Sequence, residues 1–358
     1  MNKLKISSTV PHKLVPHKLP DLIKMRKKIY YLILFFTIFL FSYCNRNSSL
    51  SYKLISPEIK STEIIYRSEN IPFVSCQARI KNKIIAISND IVLIDLDKKQ
   101  DRIIFKNGIG PDQVYKPSRL RIYNQDIYIN SFYPLNHIFK ISSIDEEIKL
   151  EQVNFGINIF DIDDLKFISK DTLVLANVYW PDHLIKIYDS KKHRILKKIK
   201  KSKKDKLMMK FNINKVSICV VKDKLYIVES IAHEVIVFSL EKYTMVEKIV
   251  LNPPFYKPHP KKYKVKKYDD KSHKQWMSSW TSINNILTNK TWILIKYKKG
   301  YEPIYFYEFI DLKNKSNRLY IPETSSNIFE FSIEKNFVKV WATKLDGENI
   351  EWITEKYL

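Results

Sequence analysis

Between residues 81 and 342 the chain repeats one local pattern six times: a polar turn, then a short run in which apolar and polar positions alternate. The runs are KNKIIAIS (81–88), NQDIYIN (124–130), SKDTLVLAN (169–177), VKDKLYIVES (221–230), TNKTWILIK (288–296) and EKNFVKVWA (334–342). A period of two puts successive side chains on opposite faces of a strand, and Asn, Asp and Lys in the preceding turn suit a tight hairpin. Third strands are predicted at IVLIDLDKK (91–99), HIFKISS (137–143), LIKIYDSKK (184–192), EVIVFSLEK (234–242) and IYFYEFIDLKN (304–314). A fourth then leads onward, as in DRIIF, HRILKKI, MVEKIV and NRLYI. No segment carries a helical stripe.

Counted from Ile84, Ile127, Leu173, Leu225, Trp292 and Phe337, the unit returns after 43, 46, 52, 67 and 45 residues. Four antiparallel strands every ~40–50 residues is the rhythm of a propeller blade. The predicted fold class is therefore all-β: a six-bladed β-propeller over residues 61–358, preceded by an N-terminal signal segment. The sixth unit ends after three strands at NIEWITEKYL (349–358), while STEIIYRS (61–68) is a strand without a unit. If the latter supplies the outer strand of the last blade, the ring closes with no open edge. A pair of twisted β-sandwiches is the competing architecture.

The N-terminal region reads as an export signal. In MRKKIYYLILFFTIFLFSYC (25–44), three cationic residues precede an apolar core and a short exit. That core is too short for an ordinary spanning helix of ~20 residues but suits a secretory signal. The segment resembles a bacterial lipoprotein signal, which implies that Cys44 is the lipidated first residue of the mature protein. Tyr43 departs from the small residue usual before that cysteine. Residues 25–43 are thus the signal peptide and 44–60 a tether. Residues 1–24, with their tandem VPHKLVPHKL, are an upstream extension, translation starting at Met25. The implied location is the bacterial cell envelope through a lipid anchor, or the exterior if Cys44 is not lipidated.

Only five glycines occur in the chain, and two fall in FKNGIGPDQVYKP (105–117). This stretch connects the outer strand of the first unit to the inner strand of the second. Gly108 and Gly110 are expected to permit backbone angles closed to other residues, and Pro111 and Pro117 to stiffen the crossing. Gly-Ile-Gly-Pro, Pro117 and the following DIYIN resemble the inter-blade motif of NHL-type six-bladed propellers of exported bacterial lipoproteins. Asp112, Gln113 and Val114 depart from it. The resemblance implies binding or assembly more than catalysis.

Charge narrows the candidate chemistry. With 62 Lys and Arg against 38 Asp and Glu the formal charge is +24, which favours anionic partners. Lysine, isoleucine and asparagine usage fits A/T-rich coding, so part of the lysine excess need carry no function. Two insertions concentrate the rest. The first, 191–210, includes Lys197, Lys198, Lys200, Lys201, Lys203 and Lys204; the second, 255–280, holds Lys261, Lys262, Lys264, Lys266 and Lys267 among Tyr263, Tyr268, Trp276 and Trp280. Both are chiefly outer-to-inner connections, which emerge on one face of a propeller. The expectation is a basic face for an anionic envelope ligand or a protein partner, with aromatic rings for stacking; solvated lysine-rich loops are the bland alternative. Export disfavours nucleic acid.

No zinc, P-loop, dinucleotide or nucleophile-elbow motif occurs, and no cofactor or catalytic residue is implied. Asp161, Asp163 and Asp164, with Asn284 and Asn285, stand where lactonase-like propeller enzymes hold a divalent metal in the axial channel. Such an enzyme is the alternative reading, though strand-start capping accounts for the same residues. Cys76 and Cys219 fall on inner strands of the first and fourth units. They are expected too far apart for a disulfide, as two buried free thiols.

Overall fold

The computed structural model describes residues 52–54, 59–131, 137–142, 144, 148–155, 162–178, 180–200, 215–258, 270–300 and 302–358. Two N-terminal strands come first, the three-residue β1 (Tyr52–Leu54) and the ten-residue β2 (Ile59–Ser68). Blade one contains β3 (Cys76–Ile80), β4 (Lys83–Ile87), β5 (Ile91–Asp95) and β6 (Gln100–Phe105). Blade two contains β7 (Pro117–Tyr123), β8 (Asp126–Ser131), β9 (Ile138–Ser142) and β10 (Lys149–Val153). Blade three runs β11 (Asp164–Ser169), β12 (Thr172–Ala176), β13 (His183–Asp189) and β14 (Arg194–Lys200). Blade four runs β15 (Val216–Val221), β16 (Lys224–Glu229), β17 (Glu234–Ser239) and β18 (Thr244–Val250). A helix, α1 (Asp270–Ser278), precedes blade five: β19 (Thr281–Thr288), β20 (Trp292–Lys299), β21 (Tyr305–Asp311) and β22 (Arg318–Thr324). Blade six has β23 (Asn327–Ile333), β24 (Val338–Asp346) and β25 (Asn349–Tyr357).

Within each blade, consecutive strands pair antiparallel from the axis outward. The alternation read from the sequence serves two neighbours at once. On β4, Ile84 and Ala86 pack toward blade six while Ile85 and Ile87 pack toward blade two. On β12, Leu173 and Leu175 face blade two, and Val174 and Ala176 face blade four. Six apolar clusters result, one at each junction between blades. The second and third strands of a blade are therefore buried on both faces, and the outer strands β6, β14 and β18 are largely exposed.

Closure follows the sequence prediction. β2 pairs antiparallel with β25, with Ile64 opposite Ile353 and Ser68 opposite Ile350, giving blade six its outer strand. Trp352, fully buried at the seam, donates from Nε1 to Gln77 Oε1 of blade one at 2.8 Å. Two elements were not foreseen. β1, inside the predicted tether, pairs parallel with β22 and adds a fifth strand to the outer edge of blade five. Helix α1 lies in the second basic insertion, where no helical stripe was read; Trp276 and Met277 pack with Trp280 against Ile231 of blade four.

The Gly-x-Gly-Pro crossing stands where predicted, but for another reason. Left-handed backbone there belongs to Asp112 (φ 55°) and Lys116 (φ 42°), and neither glycine has positive φ. Instead, Gln113 folds back over the loop, and its Oε1 accepts from Gly110 N at 2.9 Å. A Cβ at Gly108 would collide with that side chain, so the glycines provide room for close approach. Val114 is fully buried between blades one and two. Pro117 opens β7, so it stiffens a strand start and not the crossing.

Candidate functional site

The inner strands β3, β7, β11, β15, β19 and β23 border the axis along short runs of consecutive residues. They enclose an axial channel of about 500 Å³. Its polar lining includes Cys76, Gln77 and Arg79 from blade one, Arg121 from blade two and Lys166 from blade three. Cys219 comes from blade four, Asn284, Asn285 and Lys296 from blade five, and Asn327 and Glu330 from blade six.

The two arginines among these cations are compensated. Arg79 clasps Glu330 through Nε and Nη2 at 2.7 and 2.6 Å. Arg121 pairs with Asp164 and also donates to the carbonyls of Leu165 (2.9 Å) and Leu120 (2.6 Å). Burial pushes the Asp164 carboxyl upward, but Arg121, Lys166 and Arg119 outweigh it and hold the group below the usual range. Asp164 further accepts from Ile218 N at 2.9 Å, and Asp163 from Val178 N (2.8 Å) and Val216 N (3.3 Å). The two carboxylates thus lock blades two, three and four together. Burial raises Asp163, and those two backbone donors together with Arg119 partly offset it. These contacts are the capping role predicted for them. Among the described residues, no group of three or more His, Cys, Asp or Glu is placed to hold a metal ion. Asn284 and Asn285 do border the channel, while Asp161 lies outside the described residues.

Lys166 and Lys296 differ from the arginines. Among the described residues neither makes an ion pair. Burial lowers the Lys166 ammonium, with Asp164 opposing. Lys296, 7% exposed, is lowered to about 7 by burial, with Lys298 adding and Cys76 opposing. Its Nζ donates to Asn327 Oδ1 and lies 4.2 Å from the Tyr305 ring centroid.

The predicted basic face is only partly within the described residues. Lys197, Lys198 and Lys200 lie on β14, exposed at the outer circumference, and not in a loop as expected. Trp276 and Trp280 are 7% and 1% exposed, packed against blade four, so stacking on a solution ligand is closed to both. Lys201, Lys203, Lys204, Lys261, Lys262, Lys264, Lys266, Lys267, Tyr263, Tyr268 and Cys44 lie outside the described residues. Both cysteines are free, on β3 and β15 as read. Cys219 is buried, which pushes its thiol up to about 12. Cys76 is only half-buried, because its side chain borders the channel.

The channel lysines were missed by sequence reading, although a signal exists. Lys296 interrupts the apolar row in TNKTWILIK, on the face it shares with Leu294.

No family model and no curated protein matches the chain. Solved structures do. A protein of Bacteroides fragilis NCTC 9343 whose name assigns it to export is 9% identical with a TM-score of 0.53, the match covering 85% of this chain and 96% of that one. A DUF4221 family member from Bacteroides vulgatus ATCC 8482 is 11% identical with a TM-score of 0.54, covering 84% and 97%. At such identities the likeness is one of fold, and the fold is a six-bladed β-propeller.

Proposed function

We propose that this chain is an exported binding protein whose ring takes a small anionic ligand, a phosphate or a carboxylate, in its axial channel. One observation carries the reading: two lysines, Lys166 and Lys296, line the axial channel without an ion-pair partner among the described residues. Lys296 is buried with no described counterion, and Lys166 is half-buried and offset only in part by Asp164, so an incoming anion lowers the electrostatic cost at both. Residues 44–358, the mature chain on the export reading, keep about +17 of the formal charge, which favours approach of the same class of ligand. Export is supported by the tripartite pattern of 25–44 and by the fold shared with the Bacteroides fragilis protein named for export. A lipid anchor at Cys44 belongs to the same proposal, with the envelope as its setting. The lysine-rich stretches outside the described residues would extend the anion-attracting surface. Nothing favours the metal-dependent hydrolase, because Asp163 and Asp164 are engaged with Arg121 and backbone donors.

The test is calorimetric titration at low ionic strength with inorganic phosphate, succinate and a sugar phosphate. At least one should bind saturably, and Lys166→Met should weaken it about tenfold, the worth of one charge-assisted hydrogen bond. If none binds, or Lys166→Met and Lys296→Met leave affinity unchanged, the channel is not an anion site.

A further inference from the structure

Lys296 sits mid-strand on β20, on the face whose other occupant, Leu294, packs toward blade six. Its amine touches the side-chain oxygen of Asn327 and the face of Tyr305, neither of which can accept its proton, while Cys76 on the same channel opposes the effect of burial. Lys298, two residues along the same face, brings a second positive charge. A desolvated lysine beside another cation is the arrangement that leaves an amine unprotonated and nucleophilic near neutral pH. Unlike a lysine lost in a core, this one borders a void of about 500 Å³.

We infer that Lys296 captures a carbonyl ligand covalently and reversibly, as an imine. The Nζ lone pair adds to the carbon of an aldehyde or ketone. The resulting carbinolamine loses its oxygen as water, which carries one proton from nitrogen and one from solvent. A protonated imine remains, and no oxidant or further reactant is required. The iminium keeps its charge over the Tyr305 ring and one N–H for Asn327 Oδ1, so the partners of the ammonium also suit the product. Lys166, which lines the same channel from blade three, suits a ligand that bears an anionic group as well as the carbonyl, a clause that rests on the anion reading.

Pyridoxal 5′-phosphate, which has both groups, is the probe. The mature chain is exposed to a substoichiometric amount at pH 7, reduced with borohydride to fix the adduct as a secondary amine, and mapped by peptide mass. Lys296 should be labelled at least tenfold faster than exposed Lys197 and Lys198. Its rate should level off above about pH 8, while theirs keeps rising toward the ordinary lysine range. Labelling of Lys296 no faster than of those two overturns the inference. Lys296→Arg should abolish the preferred adduct. Asn327→Asp, which sets a carboxylate against the amine, should slow labelling about tenfold at pH 7. A folded Asn327→Asp protein labelled at the original rate also overturns it. Neutral pyridoxal separates the two readings: equal trapping at Lys296 upholds imine capture and removes anion recognition. Saturable phosphate binding with no preferred adduct from either reagent removes imine capture alone.

Discussion

Charged side chains are buried on both faces of blade five, Glu308 with Arg318 on one and Lys296 on the other, and their surroundings differ in kind. Glu308, fully buried on β21, accepts from Arg318 at 2.6 Å, Tyr297 at 2.6 Å and Tyr320 at 3.4 Å. Lys296 is opposite the neighbouring residue, Tyr307, in the β20–β21 register, yet has only a neutral amide and a ring. A satisfied cluster such as that around Glu308 specifies packing, whereas an uncompensated amine costs stability wherever it is charged. The sign is set by a pKa near 7 against the ordinary 10.5. Between those values the unfolded chain holds a proton that the folded one has released, so stability rises with pH across the window. Below pH 7 the cost is complete, with a ceiling of roughly 4–5 kcal/mol. Lys296→Met should accordingly raise Tm at pH 6, by an amount that shrinks steadily and vanishes near pH 10.5. Parallel Tm–pH curves for variant and parent in differential scanning calorimetry would remove the case for an uncompensated amine. None of this environment was legible beforehand. A lysine in an apolar row shows only that the row is interrupted; which blade faces it depends on contacts such as Asn327, 31 residues away.

Closure depends on one element more than on any other. β2 covers the edge of β25 along most of its length, from Ile59 opposite Tyr357 to Ser68 opposite Ile350. Without it, β25 would expose unpaired backbone groups beside the Trp352 seam. Deleting residues 59–68 should therefore give a chain that aggregates or melts at least ~10 °C lower, and a synthetic 59–68 peptide added in trans should recover part of the loss. An unchanged Tm in the deletion would mean that the ring closes by other contacts. The strands themselves were legible because a doubly buried strand keeps a strict alternation, as Ile84 to Ile87 does. Turns were legible through polar residues that occupy left-handed backbone without glycine, among them Lys81 (φ 53°), Asn124 (φ 50°) and Lys222 (φ 55°). Helix α1 was not, because nine residues reading DKSHKQWMS give no repeated apolar face. The burial of Trp276 and Trp280 went with it. The glycine loop was located correctly and explained differently, since neither glycine has positive φ and a Cβ at Gly108 would displace the side-chain end of Gln113, a residue marked in the sequence only as a departure from the motif.

At the scale of the whole molecule, charge and geometry act at different steps of binding. The formal charge of about +17 on residues 44–358 is a long-range property, and its field in solvent is screened over ~10 Å at 0.1 M salt. The channel lysines are set back from the surface, Lys296 buried and Lys166 half-buried, and salt screens them less. A small dianion should therefore show two separable dependences. Its association rate should fall several-fold between 20 and 300 mM NaCl, because steering by the surface field is lost. Its dissociation rate should change little with salt but rise about tenfold in Lys166→Met, which removes a contact inside the ring. Stopped-flow measurements on parent and variant resolve the two. A dissociation rate that follows salt as steeply as association does would place the ligand on the exposed lysines, among them Lys197, Lys198 and Lys200 of the outer strand, and take it out of the channel.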